Sequence, residues 1–127
     1  MKMPIASLAL LFLPALAAAQ PAPGPAVKPL SLESRTALRC SAAFALVADG
    51  QARSDKDALA YPALGQRGRE FFVRASARVM DDTGMDRDAV AAALMTEAQR
   101  LWAAGGFTGE IDQIMPSCLL LLDTSGA

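Results

Sequence analysis

The sequence predicts an all-α domain, a small bundle of four to five helices stapled by one disulfide and preceded by a signal peptide and a Pro-rich tether. Three observations carry this. Apolar residues recur at three- and four-residue spacing in three separate stretches, as helices require. No stretch of useful length alternates polar and apolar residues as a half-buried strand does. The 127-residue chain holds two cysteines behind an export-type leader, and in an oxidising compartment two cysteines usually make one bridge.

The leader is MKMPIASLALLFLPALAAAQ. Lys2 precedes an apolar stretch from Ile5 to Leu13, Pro14 breaks it, and Ala17 and Ala19 flank one residue. This is the three-part pattern of a secretory signal peptide, residues 1 to 19, with cleavage before Gln20. The apolar block is shorter than the roughly 20 residues a bilayer core requires, so it is not read as a membrane span. Residues 20 to 30, QPAPGPAVKPL, alternate proline with small residues and read as a flexible tether. Residues 31 to 127 form the single helical domain. Without Lys2, the 12 basic residues fall to 11 against 13 acidic ones. That balance disfavours nucleic acid as a partner, because phosphate binding draws on a basic excess.

The first helix is expected over about 31 to 49. Ser31 can accept from the first-turn amides and Glu33 complements the helix dipole. Ala37, Cys40, Phe44 and Val47 form its apolar stripe, and Gly50 is the expected stop. Residues 51 to 68, with Pro62, Gly65 and Gly68, read mostly as loop with at most one helical turn before Tyr61. Helical period returns at Arg69, with Phe72, Ala75, Ser76 and Val79 on one face, and Gly84 ends it. A left-handed Gly84 brings Met80 to Met85 across the cap.

Asp86 is expected to cap the third long helix, with Met85 and Val90 as a hydrophobic staple. Its stripe is Val90, Leu94, Ala98 and Leu101, widened by Met95 and Trp102. Gly105 and Gly106 stop it and set Phe107 against Trp102. Thr108 is expected to cap a short helix through Met115. Pro116 then breaks the chain or opens a last helix to about Asp123, in which Leu119 to Leu122 are buried nearly all round.

The chain has no histidine. That removes Ser-His-Asp and Cys-His catalysis and histidine metal sites. Cys40 and Cys118 are too far apart in sequence for a Cys-x-x-Cys redox pair. They read as a disulfide, against the competing readings of two free buried thiols or an intermolecular bridge. The acidic run DDTGMDRDAV fails the calcium-loop spacing, since Val90 and Ala91 fall where a ligand and a glycine belong. Glu70, Glu97 and Glu110 are chemically able to act as paired carboxylates, but nothing brings them to one cleft. No catalytic residue, metal or cofactor is assigned.

Two candidate sites remain. Arg67, Arg69, Arg74 and Arg78 around Phe71 form a candidate surface for an anionic lipid, a glycan or an acidic partner; the plainer reading is a solvated helix face. Tyr61, Phe71, Trp102 and Phe107 are the aromatic residues best suited to line a pocket. At YPALGQRGREFFVRASARVMDDTGMDRDAV and MPSCLLLLD the chain resembles a group of small exported helical proteins of Gram-negative bacteria. That resemblance implies no activity and transfers no site. In broader architecture it is similar to periplasmic acid-stress chaperones and to immunity proteins that neutralise secreted toxins.

The expected function is therefore that of a non-catalytic periplasmic or secreted interaction protein. It is chaperone-like, stress-related or inhibitor-like, binds another envelope or secreted protein, and does not span the membrane after cleavage. The alternative is an envelope enzyme or a small-ligand-binding protein with a pocket.

Overall fold

A computed structural model describes residues 26–127. The expected signal peptide, and the tether up to residue 25, lie outside the described residues. Five α-helices follow one another: α1 (Leu32–Ala52), α2 (Lys56–Leu59), α3 (Gly65–Thr83), α4 (Arg87–Ala103) and α5 (Glu110–Thr124). A 3-10 turn, Gly106–Thr108, joins the last two. No strand occurs among the described residues, so the all-α expectation holds.

Helix α1 is the central element. Ser31 Oγ accepts from Ser34 N–H at 3.0 Å, as expected of its cap. Residues Cys40 to Phe44 are buried without interruption, so α1 is covered on several sides rather than along one stripe. Helices α2, α3, α4 and α5 all pack against it. Gly50 does not stop it. The stop comes at Ser54, which takes a left-handed φ of 60°. Around it Ser54 N–H donates to Gln51 O and Asp55 N–H to Gly50 O, a Schellman closure. Gly50 is instead buried inside the helix, against Ala58 and Phe107.

The stretch read as loop is ordered in two pieces. Asp55 Oδ1 accepts from the amides of Asp57 and Ala58 and starts α2. Helix α3 then begins at Gly65, four residues before the expected Arg69. Both glycines that suggested loop lie in its first turns. Gly68 has a packing role, since a Cβ there would stand 3.1 Å from Phe44 Cβ. Its missing side chain lets α3 approach α1 closely.

The buried stripe of α3 is Gly68, Phe71, Ala75, Val79 and Thr83. Phe71, not Phe72, faces inward. It meets Phe44 edge-to-face with ring centroids 5.3 Å apart, while Phe72 is 39% exposed. The Gly84 cap is as expected, with φ 77° and its N–H donating to Met80 O at 2.9 Å. Met80 and Met85 both pack on a small cluster of Leu38, Val79 and Val90. Leu30 joins that cluster, and Lys28 N–H donates to Thr83 O at 2.8 Å. The end of the expected tether is thus docked on the domain.

Helix α4 is capped by Asp86, whose Oδ1 accepts from Ala89 N–H at 2.8 Å. Only Val90 and Leu101 on it are fully buried; Leu94 and Ala98 are half-buried. Met95 and Trp102 do not widen the inner stripe, because at 61% and 52% they are exposed. Gly105, at φ 104°, and Gly106, at φ 60°, end the helix, and Phe107 meets Trp102 edge-to-face at 5.2 Å.

Helix α5 departs most from expectation. It is one continuous helix from Glu110, with no side-chain cap from Thr108 and with Pro116 inside it. Proline leaves the Asp112 carbonyl without its helical donor. The helix persists because Ile111, Met115, Cys118 and Leu122 form an unbroken i, i+4, i+7, i+11 stripe against the main core. Burying four such side chains outweighs one lost hydrogen bond, at roughly 1.5–3 kcal/mol for each large apolar residue. The same stripe sorts the leucines: Leu122 is buried, Leu119 is half-buried, and Leu120 and Leu121 face outward. Cys118 is bonded to Cys40 across a Cα–Cα distance of 5.3 Å, joining the middle of α1 to α5.

Candidate functional site

A groove of about 380 Å³ runs between α1, α3 and the end of α5. Phe71, Ala75 and Val79 from the buried face of α3 and Ala37 from α1 contribute its apolar surface. Leu121, Thr124 and Ser125 contribute the α5 side. Arg74 and Arg78, one turn apart on α3, and Glu33 on α1 bring charge to it.

The charged groups are differently engaged. Arg78 Nη1 donates to Glu33 Oε1 at 3.0 Å, but both side chains are more than two-thirds exposed. A pair so exposed contributes little and exchanges readily for another carboxylate. Arg74 Nη1 donates to Ser125 O at 2.8 Å and makes no carboxylate pair among the described residues. Arg67 is committed to the chain's last turn, with Nη2 donating to Asp123 Oδ1 at 2.7 Å and Nε to Ala127 O at 3.0 Å. Arg69 is exposed on another side of α3 and lines a second groove with Phe72.

The candidate Arg/Phe surface therefore divides. Arg74 and Arg78 stand together, Arg67 fastens α5, Arg69 points elsewhere, and Phe71 belongs to the core as part of the groove lining. Period alone does not separate Phe71 from Phe72 at the start of a helix. Glu33, Ser34, Thr124 and Ser125 join the groove only through the fold. Glu33 carried a legible sign in its charge, but that was already accounted for by the helix start.

The four aromatic residues expected at one pocket also divide. Tyr61, Trp102 and Phe107 meet at the far end of the molecule, while Phe71 lies at the α1–α3 contact. Tyr61 Oη donates its proton within reach of two acceptors, Phe107 O at 2.7 Å and Asp112 Oδ1 at 3.0 Å. Burial, with the Asp112 carboxylate beside it, pushes the phenol up to about 12. Its position is set by Gln51, whose Oε1 accepts from Leu64 N–H. The Gln51 Nε2 protons lie within reach of the carbonyls of Ala58, Tyr61 and Pro62. This corner fastens the 53–64 segment to α1.

A cluster of Arg39, Glu97, Arg100 and Glu110 ties α1, α4 and α5 together. Arg100 donates to Glu97 Oε1 at 2.7 Å and to Glu110 Oε2 at 2.7 Å, and Arg39 Nε donates to Glu97 Oε1 at 3.0 Å. The Arg100 guanidinium holds both carboxyls below their usual range. Glu97 and Glu110 are thus brought together, but both are neutralised by arginine. Among the described residues no group of three or more His, Cys, Asp or Glu side chains is arranged to hold a metal ion. No helix among them is long and apolar enough to cross a membrane.

These features define a disulfide-stapled all-α domain with an arginine-edged apolar groove. The chain matches no protein-family model, no curated protein and no solved structure.

Proposed function

We propose that the protein is a non-catalytic, exported interaction protein whose groove between α1, α3 and α5 takes an acidic, apolar-containing segment of another envelope or secreted protein. The observation that carries this reading is the placement of Arg74 and Arg78 over a floor of Phe71, Ala75 and Val79. An aliphatic or aromatic side chain would be taken out of water on the floor. A carboxylate beside it would receive charge-assisted hydrogen bonds from the two guanidinium groups. Glu33 is the group such a carboxylate would displace. The Cys40–Cys118 bridge supports an oxidising compartment, the periplasm or beyond. A chaperone-like, stress-related or inhibitor-like role is a subtype of the same reading.

The test is photo-crosslinking in the envelope with Thr124→p-benzoylphenylalanine, at an exposed position on the groove edge. A discrete adduct is expected, lost when Arg74→Glu and Arg78→Glu are combined in the same chain. No adduct above background, or the same adduct in the charge-reversed chain, would overturn the reading.

A further inference from the structure

The outward face of α4 is unlike that of α3. The exposed side of α3 carries charge along its length, Arg69, Glu70, Arg78 and Asp82 among it. On α4 no exposed residue from Ala89 to Gln99 is charged. Two large apolar side chains stand out from it instead, Met95 at 61% and Trp102 at 52% exposed. Asp88, Ala92, Met95, Gln99 and Trp102 are all exposed and follow one another at steps of four, three, four and three. That is the spacing of a coiled-coil seam, here turned to solvent while Val90 and Leu101 hold the opposite face in the core.

The residues of the seam match a second copy of themselves. In an antiparallel pair whose two-fold axis passes between Ala93 and Leu94, Asp88 lies opposite the partner's Gln99 and Ala92 opposite the partner's Met95, each pair made twice. The Gln99 amide then donates to a carboxylate, a charge-assisted bond. Met95 lies over a methyl group, so large fills the space left by small. Identical surfaces can meet only where they do not set like charges together, and this face meets that condition. Arg100 at its edge is already held by Glu97 and Glu110. The 17 residues of α4 make a face about 25 Å long, at the small end of specific interfaces.

We propose that two copies of this chain pair through the outward face of α4, antiparallel, as a weak two-fold dimer with a Kd of about 10–100 μM. No residue lining the Arg74–Arg78 groove lies on α4, so the pairing leaves that groove open on both copies. The proposal stands or falls independently of that groove's role.

The test is sedimentation equilibrium of the purified protein over about 2–500 μM, a range that brackets such a Kd. A monomer is expected to give way to a dimer across it. Trp102 is the only tryptophan, and its emission should move to the blue along the same curve as the ring leaves water. Met95→Glu places two carboxylates near the axis and should leave a monomer at every concentration. Ala92→Glu, at another exposed position of the seam, should do the same. Gln99→Glu faces the partner's Asp88 and should weaken the dimer about 10-fold or more. Adding Asp88→Lys to that chain should restore it. The two positions lie about three turns apart on one helix, so the rescue comes from across the pair. A protein that stays monomeric throughout overturns the proposal, whatever else binds this face, and so does a dimer that survives both Met95→Glu and Ala92→Glu. Failure of Asp88→Lys to restore the Gln99→Glu variant overturns the antiparallel register.

Discussion

Gly50 in α1 lies directly against the ring of Phe107. A Cβ built on Gly50 would stand 2.6 Å from Phe107 Cζ and 2.6 Å from Ala58 Cβ. Helices α1 and α2 and the 3-10 turn before α5 thus converge on a single hydrogen atom. Gln51, the next residue, holds the intervening segment by its amide, and Tyr61 closes the corner by donating to the Phe107 carbonyl. Residues distant in sequence are brought together there by close packing and a few hydrogen bonds.

Gly50→Ala is expected to destabilise the protein by about 1–3 kcal/mol, the usual cost of forcing carbon into a packed interior. Alanine would gain up to about 1 kcal/mol in helix propensity. The clash should win, because both opposing atoms belong to buried side chains on other elements. Urea unfolding checks it: the midpoint should fall, and Phe107→Leu in the same chain should restore part of the loss. An unchanged or raised midpoint would contradict the contact.

The single tyrosine makes a second prediction direct. With Tyr61 pushed up to about 12, tyrosinate absorbance should appear about two units higher in the folded than in the unfolded protein, whose tyrosine titrates near 10. The folded-state value is raised, so the stability it contributes is full below pH 10. As pH rises from there toward 12 it is lost, because the unfolded chain releases its proton first. Tyr61→Phe should abolish that alkaline loss, while costing about 0.5–1.5 kcal/mol at neutral pH through the hydrogen bonds given up. A native titration near 10 would mean the Phe107 and Asp112 contacts are not kept in solution.

The Cys40–Cys118 bridge closes a loop with a sequence separation of 78. In the chain-entropy model that corresponds to about 4–5 kcal/mol of stabilisation. Thiol titration of the unfolded, unreduced protein should find no free thiol, and reductant should release two. Cys118→Ala should lower stability by several kcal/mol and raise amide exchange first in α5. Two free thiols before reduction would exclude the bridge in solution.

Much of the helical framework was legible because its signals are local. Ser31 bonds an amide three residues on, as does Asp86, and Gly84 needs only its own φ; none of these depends on where the rest of the chain goes. The staple was legible for a different reason, since two cysteines leave one intramolecular pairing. The candidate sites were less so. Arg74 and Arg78 are legible as surface residues, yet the groove they edge draws on Glu33 and Ser125, and no periodicity in one helix tells which helix will lie beside it.

By itself, then, the sequence determined the helical class, the caps and turns that punctuate it, and the one cystine. Tertiary structure decided the rest. It carried α1 through Gly50, turned Phe71 inward and Phe72 outward, kept α5 whole through Pro116, and buried Leu122 while leaving Leu120 in solvent. The physical reason is one of magnitude and range. Caps and propensities act within a few residues and contribute about 1 kcal/mol each. Burial of a large side chain contributes roughly 1.5–3 kcal/mol, and the surface it is buried against comes from elements tens of residues away.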